Sequence, residues 1–142
     1  MKRISHIIIG VVVVPLVAVI CFWGVYKFFA FLLPYTVDMG YISIFFQWLF
    51  VFVIEKFSSI ILCGIVAFVA YRIQDESVQI KIFIALISSL VFQGILVLRW
   101  IVLWGYFSYM QYNRPLSTFI GTIVFALAGA GMAYMLEGRK SR

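Results

Sequence analysis

Long apolar runs, separated by short clusters of polar residues, set the pattern of this chain. The first run extends from about Ile7 to Leu33, with Pro15 inside it and Pro34 closing it. It exceeds the roughly 20 residues that a helix needs to cross a hydrocarbon core about 30 Å thick. Pro15 takes one backbone donor out of the helix and predicts a bend, which membrane helices tolerate when neighbouring groups satisfy the freed carbonyl. Lys27, near the far end, is placed to snorkel to the interface. The segment Pro34-Tyr35-Thr36-Val37-Asp38-Met39-Gly40 reads as the first loop, because Pro, Asp and Gly punctuate it.

From Tyr41 to Tyr71 the only strongly polar interruptions are Gln47, Glu55 and Lys56. As a single helix this stretch would be about 46 Å long at a rise of 1.5 Å per residue, more than one crossing requires. The reading that fits is an interfacial or extended segment over 41–48 followed by a second span over 49–71, with a re-entrant half-helix as the alternative. Residues 72–77, Arg-Ile-Gln-Asp-Glu-Ser, form the central loop, and the third span runs over 81–104. Its far end meets a belt of Trp100, Trp104, Tyr106, Tyr109 and Tyr112, side chains that favour the headgroup level. Asn113-Arg114-Pro115 is the last turn. Pro115 suits the first position of a helix, and the fourth span covers 116–136 before a polar tail. The expected fold is therefore all-α: a single transmembrane domain over 1–142, an antiparallel up-down four-helix bundle with short loops.

Composition agrees with the pattern. The 142 residues are 65% hydrophobic and 11% charged, with a mean hydropathy of +1.14, against a charged fraction near 25% in soluble domains. The net charge of +6 concerns topology rather than nucleic acid, because the basic residues stand at the ends of the apolar runs. One side collects Lys2, Arg3, Arg72, Lys81, Arg139, Lys140 and Arg142, and the other Lys27, Lys56, Arg99 and Arg114. The positive-inside rule then puts both termini and the central loop in the cytoplasm of a cell (inner or plasma) membrane. Met1-Lys2-Arg3 before an apolar run resembles a secretory leader. The run is too long for one and lacks a small-residue cleavage site, so it reads as a retained span. Cys21 and Cys63 lie inside apolar runs and read as free thiols that pack as small hydrophobes.

Two ionisable residues fall within the apolar runs, Glu55 and Arg99. Charges at membrane depth are costly and usually face the bundle with a partner. Measured from the central loop, Glu55 is about 24 Å from Tyr71 and Arg99 about 27 Å from Lys81 along their helices, so adjoining spans bring them to one level. At 100° per residue, Glu55, Ser58, Ser59, Cys63 and Ala70 share one arc, and Ala85, Ser88, Ser89, Gln93 and Arg99 share another. The expectation is that spans two and three meet through these stripes. Glu55 would pair with Arg99, and Ser59, Ser89 and Gln93 would support the pair. In span four, Thr118, Thr122, Ala126 and Ala130, flanked by Gly129, Gly131 and Ala133, form a face of small residues suited to close helix packing. The pattern favours packing within the chain over a second copy or another protein.

No cofactor motif, nucleophile elbow or paired-carboxylate motif is present, and His6, the single histidine, has no metal-ligating neighbours at useful spacing. His6 reads as an interfacial side chain, and Asp75 and Glu76 as a solvated turn able to dock a partner. The chain is thus expected to be no enzyme, and to work in the bilayer with other membrane subunits or with itself, without nucleic acid. An accessory, assembly or regulatory subunit of a membrane complex is the leading expectation. A small dimeric transporter, channel or lipid-headgroup flippase using the Glu55/Arg99 stripe is the alternative. In size and span count the chain is similar to small four-helix multidrug transporters, whose essential acid lies in the first helix, where this chain has none. An immunity or exclusion protein of the membrane is a further alternative.

Overall fold

The computed structural model describes residues 1–32, 55–105 and 115–140. These residues are helical almost throughout, with no strand among them. Helix α1 is Lys2–Ile8; a π-helical turn, Ile9–Val13, joins it without a break to α2, Val14–Leu32. Helix α3 is Glu55–Ile73, α4 is Val78–Trp104 and α5 is Pro115–Lys140. Among the described residues, four helical stretches are long and apolar enough to cross a membrane: Lys2–Phe28, Lys56–Ile73, Val78–Leu103 and Pro115–Lys140. The helices extend past several expected bounds, because Lys2-Arg3 and Glu137–Lys140 continue their helices as charged end turns. The expected interfacial segment 41–48, the loop 34–40, the start of the second span at 49–54 and the aromatic residues Tyr106, Tyr109 and Tyr112 lie outside the described residues.

The helix ends follow local chemistry. Pro15 has no N–H to give, and the ladder widens just before it: Val14 N–H bonds the carbonyl of Ile9, five residues back. Such a wide turn is one way a helix absorbs a missing donor. Pro115 opens α5, at the position where the lost N–H would be unsatisfied anyway. Gly105 ends α4 with φ +83° while its N–H bonds Ile101 O at 2.9 Å, a backbone setting that costs glycine little. The turn between α3 and α4 is short, Gln74–Ser77, and Gln74 N–H bonds Tyr71 O at 3.2 Å.

Two buried clusters hold the helices together. Ala18 and Phe22 of α2 meet Cys63 and Val66 of α3 and Phe92 and Leu96 of α4. Ala67 and Tyr71 of α3 meet Ala85 of α4 and Ala126, Ala130 and Ala133 of α5. The second cluster is made almost wholly of alanine, so α3, α4 and α5 approach closely, and α3 and α5 closest of all. A Cβ added to Gly129 would overlap the carbonyl oxygen of Gly64 and lie 3.2 Å from its Cα; one added to Gly64 would lie 3.2 Å from Phe125 O. Backbone meets backbone there, and at position 129 only glycine fits. Large apolar side chains instead point outward, among them Ile20, Phe28, Phe83, Leu98, Val102 and Met132, each more than 60% exposed. An exterior of this kind is far beyond the apolar patches a soluble monomer presents to water.

Candidate functional site

Of the expected polar stripes, three residues join α3 to α4. Ser89 Oγ donates to the carbonyl of Cys63 at 2.7 Å, and Cys63 Sγ donates to Gln93 Oε1 at 3.5 Å. Ser59 is buried but turns to its own helix, donating to Lys56 O at 2.8 Å. Arg99 is half-buried, and its guanidinium carbon stands 5.5 Å from the centre of the Tyr26 ring on α2, close enough for cation–π attraction. Glu55 begins α3, and its side chain lies outside the described residues, as therefore does the expected Glu55–Arg99 pair. Lys27, one residue beyond Tyr26, lies 5.3 Å from the centre of the Trp23 ring. These two cations with aromatic partners mark the end of the molecule away from the α3–α4 turn.

The small-residue face of α5 turns inward. Thr122, Ala126, Gly129, Ala130 and Ala133 are buried, Thr118 is half-buried, and Thr122 Oγ1 donates to Thr118 O at 2.8 Å. The face is occupied by α3 and α4 of the same chain, through the alanine cluster and the Gly64–Gly129 contact. Cys63 is buried and Cys21 exposed, and both are free thiols.

The densest polar chemistry lies elsewhere, around the α3–α4 turn, and there the separate charges of the sequence become two knots. In the first, Lys81 Nζ of α4 lies 2.8 Å from Glu137 Oε1 of α5, and Tyr71 of α3 donates its hydroxyl to Glu137 Oε2 at 3.3 Å. The same ammonium sits 5.2 Å from the Tyr71 ring centre. Lys81 is only 12% exposed, Tyr71 is fully buried and Glu137 is 33% exposed, so this is a partly shielded charge pair joining three helices. In the second knot, Arg3 of α1 pairs with Glu76, its Nη2 donating to Oε2 at 2.8 Å. His6 Nδ1 lies 3.6 Å from Asp75 Oδ2, and Gln74 Nε2 donates to the backbone carbonyl of His6 at 2.8 Å. Gln74 is buried against Gly10, where an added Cβ would come within 2.6 Å of its Nε2.

Sequence reasoning treated His6 as interfacial, Asp75 and Glu76 as a solvated turn, and Glu137 as tail. The signal that joins them was available. Comparing depth from one end, the argument that matched Glu55 with Arg99, also places Lys81 and Glu137 at one level, and Arg3 opposite Glu76. Gln74 gave no such signal, because its burial depends on the notch at Gly10.

No group of three or more His, Cys, Asp or Glu that could hold a metal ion occurs among the described residues. Compared with protein-family models, with curated proteins and with solved structures, the chain matches none.

Proposed function

We propose that the protein is a non-catalytic membrane subunit that works by helix packing, as an accessory, assembly or regulatory component of a membrane complex. In this reading its four helices cross the cell membrane as an antiparallel up-down bundle with both termini in the cytoplasm. The observation that carries it is the use to which the polar side chains are put. Ser89, Cys63 and Gln93 bond α3 to α4, while Lys81, Glu137 and Tyr71 bind α3, α4 and α5. Arg3, His6 and Gln74 fasten α1 to the turn. Polar groups in membrane helices serve either passage or cohesion, and these serve cohesion. What the molecule offers its surroundings is an apolar exterior suited to lipid and to partner helices.

Purification from its native membrane in mild detergent is expected to recover the protein together with other membrane subunits. Recovery only as a lone monomer would remove the basis of the proposal. The transport alternative is separated by flux measured in liposomes with the unaltered protein, Glu55→Gln and Arg99→Ala. On the assembly reading, none of the three exceeds protein-free liposomes.

A further inference from the structure

Two buried side-chain atoms without a hydrogen-bond partner among the described residues, and a backbone carbonyl that Pro15 deprives of its donor, flank the π-helical turn. Gln74 is 1% exposed, and its Oε1 has no hydrogen-bond partner among the described residues, although its Nε2 is bonded to His6 O. Ser88 is fully buried, and its Oγ likewise has no partner among the described residues. Pro15, also fully buried, withholds an N–H from the ladder, so a carbonyl of the wide turn ahead of it loses its donor.

Their levels span about one helical turn. Gly10 touches both Gln74 and Ile84, since a Cβ there would lie 2.6 Å from Gln74 Nε2 and 3.2 Å from Ile84 Cγ2. Ser88 is one turn beyond Ile84 on the same face of α4. Val14 and Pro15 are one turn beyond Gly10, and both helices lead away from the charged end. Ser88 therefore stands beside the turn that Pro15 opens, about 10 Å past Lys81 at 1.5 Å per residue.

Buried polar atoms are almost always hydrogen-bonded, and an orphan costs about 1–3 kcal/mol. Two of these groups, the Gln74 amide oxygen and the backbone carbonyl, are acceptors, and the serine hydroxyl serves either way. A guest that bridges them must donate two hydrogen bonds and accept one, be uncharged, and be small. We infer that the π-helical turn, Gln74 and Ser88 form a buried binding site for water, an internal hydration site between α2 and α4. Buried waters of this kind make about three hydrogen bonds to polar groups left over by the fold, which is the number offered here. The site goes beyond the assembly role proposed above and does not depend on it. It gives the wide turn a reason to persist, because the water completes the hydrogen bonding that Pro15 interrupts.

Difference infrared spectroscopy of the full-length protein in lipid nanodiscs, comparing H2(16)O with H2(18)O, tests the site. The unaltered protein is expected to show an oxygen-isotope-sensitive O–H stretch from an internal water. The band should be lost in Ser88→Ala and in Gln74→Met, and kept in Ser59→Ala, whose hydroxyl bonds its own helix. Ser88→Cys, which keeps the volume but donates weakly, should shift the band, and it stands in if Ser88→Ala fails to fold. Absence of the band from the unaltered protein overturns the inference, and so does its survival unchanged in both Ser88→Cys and Gln74→Met.

Discussion

Single residues in this fold are unequal in ways their types do not announce. Gly129 and Gly131 are two positions apart on α5, yet a Cβ at Gly129 runs into the backbone of Gly64 while one at Gly131 meets nothing within 4 Å. Gly129→Ala is expected to destabilise the protein by about 1–3 kcal/mol, the usual cost of overpacking, and Gly131→Ala to leave it unchanged. Denaturant unfolding in detergent micelles measures both. Lys81 and Glu137 make the second test. Removing Lys81 leaves Glu137, a third exposed and so partly solvated, without its cation, and a net intramolecular hydrogen bond contributes roughly 0.5–1.5 kcal/mol. Lys81→Met is therefore expected to cost about that much. The double variant Lys81→Met/Glu137→Leu should cost less than the sum of the single changes, because neither charge is then stranded. A double-mutant cycle that closes additively would show the pair to be uncoupled. The sequence pattern pointed to the small face of α5 because spacing is visible in a string of letters. It did not distinguish Gly129 from Gly131, because that depends on where the α3 backbone passes.

At the scale of elements, α1 is the most separable piece. It is tied to the α3–α4 turn by Arg3–Glu76, His6–Asp75 and the Gln74 bond to His6 O. The residues on which it closes are 68 or more positions away in the chain. Arg3→Glu puts like charges together and is expected to speed amide hydrogen exchange over residues 2–13 severalfold while leaving α5 unaffected. Pairing it with Glu76→Arg should return the rate toward that of the unaltered protein. Four apolar helices were legible from run length and from the prolines that bound them, since those features act locally. The π-helical turn was legible only as a bend at Pro15, because sequence reports the missing donor but not how the ladder absorbs it. Lys81 with Glu137, and Arg3 with Glu76, are long-range pairs between helix ends, legible only by comparing depth from one span to another.

For the molecule as a whole, the charged groups around the α3–α4 turn and the aromatic-backed Lys27 and Arg99 lie at opposite ends of an apolar exterior. Along α4 those ends are about 27 Å apart, counted from Lys81 to Arg99 at 1.5 Å per residue, near the thickness of a hydrocarbon core. Reporter fusions after Arg72 and at the C terminus are expected to read as cytoplasmic, and fusions near Asp38 and Asn113 as external. A cytoplasmic Asp38 would overturn the proposed topology. The uneven packing of the helices also bears on how the protein is made. Helices α3, α4 and α5 enclose the alanine cluster, whereas α2 rests on α3 and α4 through Ala18 and Phe22. Those two side chains leave the ribosome some 40 to 80 residues ahead of Cys63, Val66, Phe92 and Leu96, the residues that enclose them. The helix synthesised before the others thus waits for residues as far on as Leu96 before its packing is complete. In the proposed membrane setting, lipid or an assembly factor must cover its apolar face in the interval.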